Sequence, residues 1–240
     1  MTVKIRFIVT ALFGAVFCWN TAVVSCRAEC VHPREKIGGY TTYYSQNDGG
    51  RCRNIALAAE KIDGSALQPY GEFSFNALVG KRTKENGFLE AKVISQGEFV
   101  KGVGGGVCQV STTLYNAALL SGLSVLEYHP HSLAVGYIAP SRDAMVSSES
   151  DLRLFNPFPE TVYFSVKASG GALSVVLRGE KTQFSYEIES KTIEDGEETL
   201  LGGVKSEAYL KTYQRGVLVG VKKLRTDSYA PVKGKINILP

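Results

Sequence analysis

Residues 102–122 read GVGGGVCQVSTTLYNAALLSG, and this stretch decides how the chain folds around it. Three consecutive glycines precede Cys108, and the residues from Cys108 to Ser121 have helical periodicity. Gly122 follows where a left-handed helix cap is least costly. A glycine-rich loop that leads into a helix lets backbone N–H groups approach an anion closely. The stretch therefore predicts a loop-to-helix junction with a cysteine at the start of the helix.

The position of Cys108 predicts a reactive thiol. The partial positive charge of a helix N-terminus stabilises a thiolate and lowers the thiol pKa below about 8.5. Backbone N–H groups of Gly105, Gly106, Val107 and Gln109 are our candidates for an oxyanion hole. Together, the loop and the thiol resemble the nucleophile end of a cysteine acyl-transfer enzyme.

The helix has two different faces. At spacings of three, four and seven residues from Cys108 stand three polar or amphipathic side chains, Ser111, Thr112 and Tyr115. We expect this face to border a cleft and to help bind substrate. The opposite face is apolar and is expected to dock on a sheet through Val110, Leu114, Ala117 and Ala118.

A thiol nucleophile needs a base, and the chain has three histidines. His129 and His131 stand in EYHPHSLAVGY, just before a predicted strand, and an extended conformation would place both on one side. His131 is our first choice as base and His129 the second. The alternatives are a plain polar turn, or a zinc site formed by Cys108 and both histidines, which lacks an obvious fourth ligand. The favoured interpretation has no metal and no cofactor.

Two further charged residues are candidates for the site. Asp143 could orient the catalytic histidine, and Arg153 could bind a substrate carboxylate in a bidentate manner. The structural alternative is that Asp143 is a turn residue and that Arg153 points outward from a strand.

The rest of the chain predicts an α+β fold, with the cysteine-bearing helix packed on a mostly antiparallel sheet. A strand is predicted over 38–46, a helix over 53–67, and a hairpin over 90–102 that turns at Gln96 and Gly97. Short apolar pieces typical of strands follow at LAVGYIA (133–139), LRLFNPF (152–158), TVYFSVKA (161–168) and GALSVVLRG (171–179). Residues 181–240, which include GVLVGVKKLRTDSY, form a β-rich C-terminal extension.

Composition narrows the class of protein. The 240 residues are 44% apolar and 21% charged, which is ordinary for a globular protein with one sizeable core. The net charge of +4 is mild and the basic residues are scattered, so we predict no nucleic-acid partner. Mild basicity instead favours an anionic surface such as a membrane or a cell wall.

The N-terminus predicts export. Lys4 and Arg6 precede an uncharged run from Phe7 to Cys26, which is typical of a secretory signal cleaved after Ala28. The letters VVSC at 23–26 also resemble a lipoprotein cleavage site, and a retained membrane anchor is the third alternative. All three alternatives place the remainder outside the cytoplasm, secreted or attached to the membrane through the N-terminus.

Outside the cytoplasm free thiols tend to be oxidised. Cys30, Cys52 and Cys108 follow the signal region, so two can pair and one is left over. We predict Cys30 and Cys52 as the pair, which leaves Cys108 as the working thiol. The alternative for Cys30 and Cys52 is that both are small buried hydrophobes.

Five motifs in order resemble the VanW domain, a bacterial extracytoplasmic family named from glycopeptide-resistance gene clusters. They are PYGEFSFNALVG, GVGGGVCQVSTTLYNAALLSGL, HPHSLAVGY, RDAMV and DLRLFNP, within about residues 38–168. Some VanW-like domains are understood to act as peptidoglycan L,D-transpeptidases with a cysteine nucleophile, on a fold unrelated to the YkuD type. We therefore divide the chain into a signal or anchor (1–28), a VanW-like domain (29–180) and the extension (181–240).

The resemblance implies a reaction and its residues. Cys108 would attack a tetrapeptide stem of peptidoglycan, expel D-Ala and form a thioester, which an amine of a neighbouring stem would resolve. Water in place of the amine would make the protein a carboxypeptidase. The His-Ser element of the family matches His131 and Ser132, while Ser141 stands where the family turn has glycine. The competing class is a non-catalytic wall-binding accessory protein linked to glycopeptide resistance.

Overall fold

The computed structural model describes residues 35–95, 97–193 and 202–231. The predicted signal or anchor at 1–28 lies outside the described residues. Cys30 does too, so its pairing with Cys52 stays a prediction. The described part belongs to one compact unit.

Antiparallel strands are the main regular structure of the described residues, and the helices are few. The helices are α1 (Gly49–Ile62), α2 (Phe75–Val79) and α3 (Val107–Leu120). The strands are β1 (Glu35–Tyr43), β2 (Ala66–Leu67), β3 (Glu72–Ser74), β4 (Glu90–Ser95), β5 (Glu98–Val103), β6 (Ser124–Glu127), β7 (Arg153–Phe155), β8 (Val162–Ser169), β9 (Ala172–Gly179), β10 (Phe184–Ile193), β11 (Val204–Gln214) and β12 (Val217–Tyr229). This is the α+β arrangement, with mostly antiparallel sheets, that the sequence predicts.

The largest sheet has four antiparallel strands in the order β1-β9-β8-β2. Along β8 and β9 apolar side chains alternate inward, because successive residues of a strand point to opposite faces. The buried members of this row are Val162, Phe164, Val166, Leu173, Val175 and Leu177. α1 packs against β8, and α3 packs against β1 and β9. The core therefore lies between this sheet and the two longer helices.

Three smaller sheets accompany the main sheet in the described residues. β3, β7 and β6 form one, the hairpin β4-β5 forms the second, and β10, β11 and β12 form the third. α3 contacts β6 and β10 in addition to the main sheet. As a result, nearly every residue of α3 is buried, on all of its faces.

The first helix begins four residues earlier than the sequence predicts. The side chain of Asp48 caps it by accepting a 2.9 Å hydrogen bond from Arg51 N. The predicted hairpin is confirmed, since β4 and β5 pair from Glu90 with Val103 to Ser95 with Glu98.

The strand predicted over 133–139 is wrong. These residues form an irregular segment between β6 and β7. Leu133 is fully buried, but the exposure of the residues that follow does not alternate, and Gly136 is exposed. The apolar residues of this segment therefore belong to a loop, and His131 does not stand at the start of a strand.

Candidate active site

Each glycine of the loop before α3 has a neighbour that excludes a side chain. A Cβ on Gly104 would lie 3.0 Å from Arg82 Cβ, and one on Gly105 would lie 2.6 Å from the Lys92 carbonyl oxygen. Gly106 caps α3 with a φ of 105°, a conformation that residues with a Cβ rarely adopt. The glycines thus let the loop pass close to both side walls and turn sharply into the helix.

Two buried amide side chains hold this junction in place. Asn54, on α1, donates hydrogen bonds to the carbonyls of Leu89 at 2.9 Å and Gly105 at 3.0 Å. Gln109, on α3, donates to Thr42 Oγ1 at 3.0 Å. Because both amides are fully buried, losing either contact would leave a costly unpaired group. The start of α3 is therefore fixed from two sides.

Cys108, His131 and Asp143 form a continuous line of contacts. Cys108 is the second residue of α3 and is partly buried; its thiol donates to the Val146 carbonyl at 3.4 Å, and the His131 ring is close enough to act on the pKa of the thiol. His131 is only 7% exposed, and its Nδ1 donates to Asp143 Oδ2 at 2.6 Å. The backbone N–H of His131 donates to the same oxygen at 2.7 Å. Asp143 thus fixes both the ring and the backbone of the histidine.

The same contacts shift the pKa values of the three groups. Burial opposes ionisation of the Cys108 thiol, but the hydrogen bond and charge of His131, with the charge of Arg82, outweigh it and lower the pKa of Cys108. Burial also opposes the charged imidazolium, yet hydrogen bonds to Asp143 and Cys108 raise the pKa of His131 to about 9. Despite burial, His131 and Arg225 hold the pKa of Asp143 below its usual range. These shifts favour a thiolate beside an imidazolium.

The C-terminal sheet supports Asp143 from the other side. Arg225, on β12, donates to the Asp143 backbone carbonyl at 2.7 Å and contacts Oδ1 at 3.2 Å. Tyr229, on the same strand, donates to Oδ1 at 2.6 Å. Burial and the adjacent carboxylate raise the pKa of Tyr229, so its hydroxyl stays a proton donor. Sequence reasoning did not find either residue, although Arg225, Asp227 and Tyr229 form an inward row at alternate strand positions.

Ser141 takes the conformation that the family glycine would take. Its φ is 59°, in the left-handed region. The backbone N–H donates to the Tyr229 hydroxyl at 2.7 Å, and the side-chain Oγ lies 2.7 Å from Ser206 Oγ. Contacts with β11 and β12 therefore hold a serine in a backbone conformation that glycine would adopt more easily.

An open cleft of about 930 Å³ lies in front of the thiol. Cys108 and His131 both line it, together with the glycine loop. Residues of α1, α2, the segment 80–83, the β4-β5 hairpin and the segments 135–137 and 145–148 complete its walls. The lysines and arginines that line it are Arg51, Lys81, Arg82 and Lys92.

Other predicted site residues lie away from the cleft. His129 turns toward Glu127, with 3.0 Å between Nε2 and Oε1. Arg153 pairs with Glu72 on the neighbouring strand β3, and its side chain is 45% exposed. Neither His129 nor Arg153 lines the cleft. The prediction for His129 depends on a strand at 133–139, which is absent. Arg153 contacts Glu72 because β7 pairs with β3.

Ser111, Thr112 and Tyr115 are buried structural residues rather than cleft residues. Ser111 Oγ donates to the Ala144 carbonyl at 2.6 Å, and Thr112 Oγ1 accepts from Ala144 N at 2.9 Å. The Tyr115 ring packs 5.5 Å from the ring of Tyr128. The expected cleft-facing polar stripe is therefore wrong, because α3 is enclosed on all faces. Ser111 and Thr112 instead hold Ala144, the residue that follows Asp143.

Two of the expected oxyanion donors are already engaged in tight turns. The N–H of Val107 donates to Gly104 O at 3.1 Å, and the N–H of Gln109 donates to Gly106 O at 3.0 Å. Cys108 lies between them in the first turn of α3, where an N–H has no acceptor within the helix. The Cys108 N–H is therefore the better placed donor at the cleft.

The zinc alternative finds no support in the arrangement of side chains. Within residues 35–95, 97–193 and 202–231, no three His, Cys, Asp or Glu side chains are grouped so that they could hold a metal ion. Separately, none of the helices in this described part is both long and apolar enough to cross a membrane.

A cysteine beside a histidine that is hydrogen-bonded to a carboxylate, at an open cleft, is the arrangement of proteins that carry an activated thiol. The chain belongs to the VanW-like protein family, which matches residues 50–178. The matched segment contains Cys108, His131 and Asp143, and it ends before β10.

Two curated relatives are similar to this chain. YoaR of Bacillus subtilis (strain 168), described as uncharacterized, is 39% identical over 144 residues, which are 60% of this chain and 48% of YoaR. The vancomycin B-type resistance protein VanW of Enterococcus faecalis (strain ATCC 700802 / V583) is 28% identical over 93 residues, 39% of this chain and 33% of that protein. The chain thus spans half or less of the length of these relatives. No solved structure matches the chain.

Proposed function

We propose that the protein is a cysteine-dependent acyl-transfer enzyme of the bacterial cell envelope, and that it acts as an L,D-transpeptidase on peptidoglycan stem peptides. The observation that carries the proposal is the line from Cys108 through His131 to Asp143 at the edge of a cleft large enough for a peptide. In this line Cys108 is the nucleophile, His131 transfers protons, and Asp143 positions His131.

The first half-reaction forms a thioester. The Cys108 thiolate attacks the carbonyl carbon of the third stem residue, forming a C–S bond and placing negative charge on the carbonyl oxygen. The Cys108 backbone N–H is available to stabilise that charge, a contribution commonly worth about 2.7–4 kcal/mol per donor. The C–N bond to the terminal D-Ala then breaks, and the imidazolium of His131 gives its proton to the departing amine.

The second half-reaction releases the product. An amine of a neighbouring stem attacks the thioester, the C–S bond breaks, and neutral His131 accepts the proton that the attacking amine loses. The thiolate and imidazolium are thereby restored without an oxidant or a reductant. Attack by water follows the same steps and gives an L,D-carboxypeptidase.

The choice of substrate rests on the family and on the predicted export. One relative of the chain is named for vancomycin resistance, and vancomycin acts at the cell wall. The uncharged run from Phe7 to Cys26 predicts that the protein is outside the cytoplasm, where peptidoglycan is its nearest polymer. Stem peptides supply both an acyl donor and an amine acceptor for the proposed chemistry.

The deciding experiment incubates the purified protein with tetrapeptide-stem muropeptides and analyses protein and products by mass spectrometry. We expect a cross-linked dimer or a tripeptide stem, together with an acyl adduct on Cys108. The Cys108→Ala variant should form neither. If the folded wild-type protein binds the muropeptide but gives no product and no adduct, the proposal fails, and a wall-binding accessory role takes its place.

A further inference from the structure

The cleft beside Cys108 is cationic in a way that the acyl-transfer line does not require. Besides His131, four of the described residues that line it are lysines or arginines, and no aspartate or glutamate is among the lining residues. Two of the four, Arg51 and Arg82, are partly buried arginines, whereas Lys81 and Lys92 are exposed. A fixed guanidinium at a partly desolvated wall attracts an anion more strongly than a flexible lysine on the rim.

Arg82 is held by neutral partners. Its Nη2 donates to Asn76 Oδ1 at 2.5 Å, and its Nη1 donates to the Ser147 carbonyl at 3.3 Å. Gly104 lies against its side chain, since a Cβ at that position would come within 3.0 Å of Arg82 Cβ. Burial lowers the pKa of Arg82, while the nearby Cys108 opposes that shift. The guanidinium is therefore oriented, close to the thiol, and not neutralised by these contacts.

Arg51 lies at the other end of the glycine loop and is also held by neutral groups. Its Nη2 donates to Gln109 Oε1 at 2.6 Å, and its guanidinium carbon lies 5.9 Å from the centre of the Tyr137 ring. A Cβ on Gly106 would approach Arg51 Cγ to 3.0 Å. The two arginines thus flank the loop whose helix carries the thiol.

Neither arginine has a carboxylate within ion-pair distance among the described residues. Asp151, the carboxylate that acts on Arg82 from farther away, already accepts from Ser74 Oγ at 2.5 Å and from Asn76 N at 2.9 Å. By contrast, Arg225 is fully engaged with Asp143 and Asp227. Unneutralised guanidinium groups in a cleft are typical of sites that bind a carboxylate from a ligand.

We propose that Arg82 and Arg51 form a carboxylate-binding subsite, which selects acyl donors that end in a free α-carboxylate one residue beyond the bond that Cys108 attacks. The inference rests on the proposed function for the identity of the donor, and it makes the protein act at peptide C-termini rather than within chains. It also transfers to Arg82 and Arg51 the role that the sequence suggested for Arg153.

The first test needs no substrate. Cys108 is alkylated with iodoacetate, which is anionic, and with iodoacetamide, which is neutral, and both rates are followed by mass spectrometry of the peptide that contains Cys108. The quantity compared is the iodoacetate rate divided by the iodoacetamide rate. Because both reagents react with the thiolate, any change in the thiolate fraction cancels in this ratio. We expect this ratio to exceed that of a simple low-molecular-weight thiol by about tenfold, because the arginines attract the carboxylate of the reagent.

Two variants connect the ratio to the arginines. Arg82→Gln keeps a donor for Asn76 and removes the charge, and Arg51→Gln does the same beside Gln109; each should lower the ratio at least several-fold. Arg153→Gln removes an arginine outside the cleft and should leave the ratio unchanged. A wild-type ratio equal to that of a simple thiol, unaffected by either variant in folded protein, overturns the proposal.

The second test fixes the origin of the carboxylate. Binding of a tetrapeptide stem to the Cys108→Ala variant is compared with binding of the same peptide amidated at its C-terminus. We expect amidation to weaken binding at least about tenfold, since a charged hydrogen-bonded contact is lost. Equal affinity for both peptides overturns the proposal.

The two proposals fail separately. A high alkylation ratio and a preference for the free acid, without any product from muropeptides, would support the subsite and reject the acyl-transfer function. Product formed equally well from amidated donors would reject the subsite and support the function.

Discussion

Tyr229 donates a 2.6 Å hydrogen bond to Oδ1 of Asp143, while Oδ2 of the same carboxylate binds His131. Tyr229 is the last residue of β12, outside residues 50–178 that match the family. The candidate site is therefore assembled from two parts of the chain. The family segment supplies the thiol, the imidazole and the carboxylate, and the C-terminal sheet fixes the carboxylate.

Replacing Tyr229 with phenylalanine should destabilise the protein. The hydroxyl donates to Asp143 and accepts from Ser141 N at 2.7 Å, so its removal leaves two buried polar groups short of a partner. We expect the free energy of unfolding to fall by about 2–4 kcal/mol, measured by urea denaturation. Tyr213→Phe is the matched control, because Tyr213 on β11 contacts an exposed Glu187 and its loss should change stability by less than about 0.5 kcal/mol. Equal effects of the two variants would contradict the buried role of Tyr229.

The pH dependence of Cys108 alkylation should report its histidine. In the wild type, the iodoacetamide rate should reach half its maximum below pH 8.5, since His131 lowers the pKa of the thiol. In His131→Gln, burial acts without an opposing charge, so the midpoint should rise to about 8.5 or above.

His129→Gln is the control for that measurement. His129 contacts Glu127 and does not line the cleft, so its replacement should leave the midpoint where the wild type has it. If the midpoint shifted in His129→Gln and stayed unchanged in His131→Gln, the assignment of His131 as the partner of the Cys108 thiol would be wrong.

The Cys108–His131 ion pair should have a range of pH in which its contribution to stability does not change. His131 has a raised pKa, so its contribution to stability is complete below about pH 6.5 and is lost as the pH rises through about 9. Cys108 has a lowered pKa, so its contribution is complete above about pH 8.5 and is lost as the pH falls through the folded value. Above both about pH 6.5 and the folded pKa of Cys108, and up to about pH 8.5, the two slopes cancel, because folded and unfolded states bind the same number of protons at the pair.

Cys108→Ala should remove that cancellation. With His131 still held by Asp143, the free energy of unfolding of this variant should fall relative to wild type as the pH rises above about 6.5, by up to about 1.4 kcal/mol per pH unit. Urea denaturation of both proteins at several pH values measures the difference. A constant difference between them across this range would mean that no thiolate–imidazolium pair forms.

Gly106→Ala should strain the junction before α3. Gly106 has a φ of 105°, and an added Cβ would lie 2.9 Å from Ile55 Cγ1. We expect a loss of at least about 1–3 kcal/mol in stability, measured by thermal and urea unfolding. Gly49→Ala is the control, because that glycine begins α1 and has no heavy atom within 4 Å of the added Cβ. It should be neutral or slightly stabilising, since alanine favours a helix.

The sequence predicts local structure well where the signal lies in neighbouring residues. The glycine loop, the helix after it and the hairpin of β4 and β5 all follow from short-range pattern. An orienting role for Asp143 is one of the two interpretations that the sequence allows, and its Oδ2 lies 2.6 Å from His131 Nδ1. The preference for His131 agrees with the position of its ring beside Cys108, although the strand expected after it is absent there.

Long-range contacts account for what the sequence could not give. The residue spacing of α3 predicts an amphipathic helix, yet three sheets enclose it. The hydroxyls of Ser111 and Thr112 therefore form hydrogen bonds with the Ala144 backbone. Arg225 and Tyr229 reach Asp143 from a distant strand, and no local spacing relates them to it. The sequence alone assigns no chemistry to Arg82, because its role depends on a cleft that only the folded chain forms.

The support that β12 gives to Asp143 also sets an order of assembly. Cys108 and His131 leave the ribosome well before Arg225 and Tyr229 do. Until β12 is in place, the buried carboxylate lacks two of its partners, and the histidine it should orient is not fixed. A chain in which β12 has not yet folded onto Asp143 therefore carries a thiol of more ordinary acidity, and Cys108 develops its full nucleophilic character only after that contact forms.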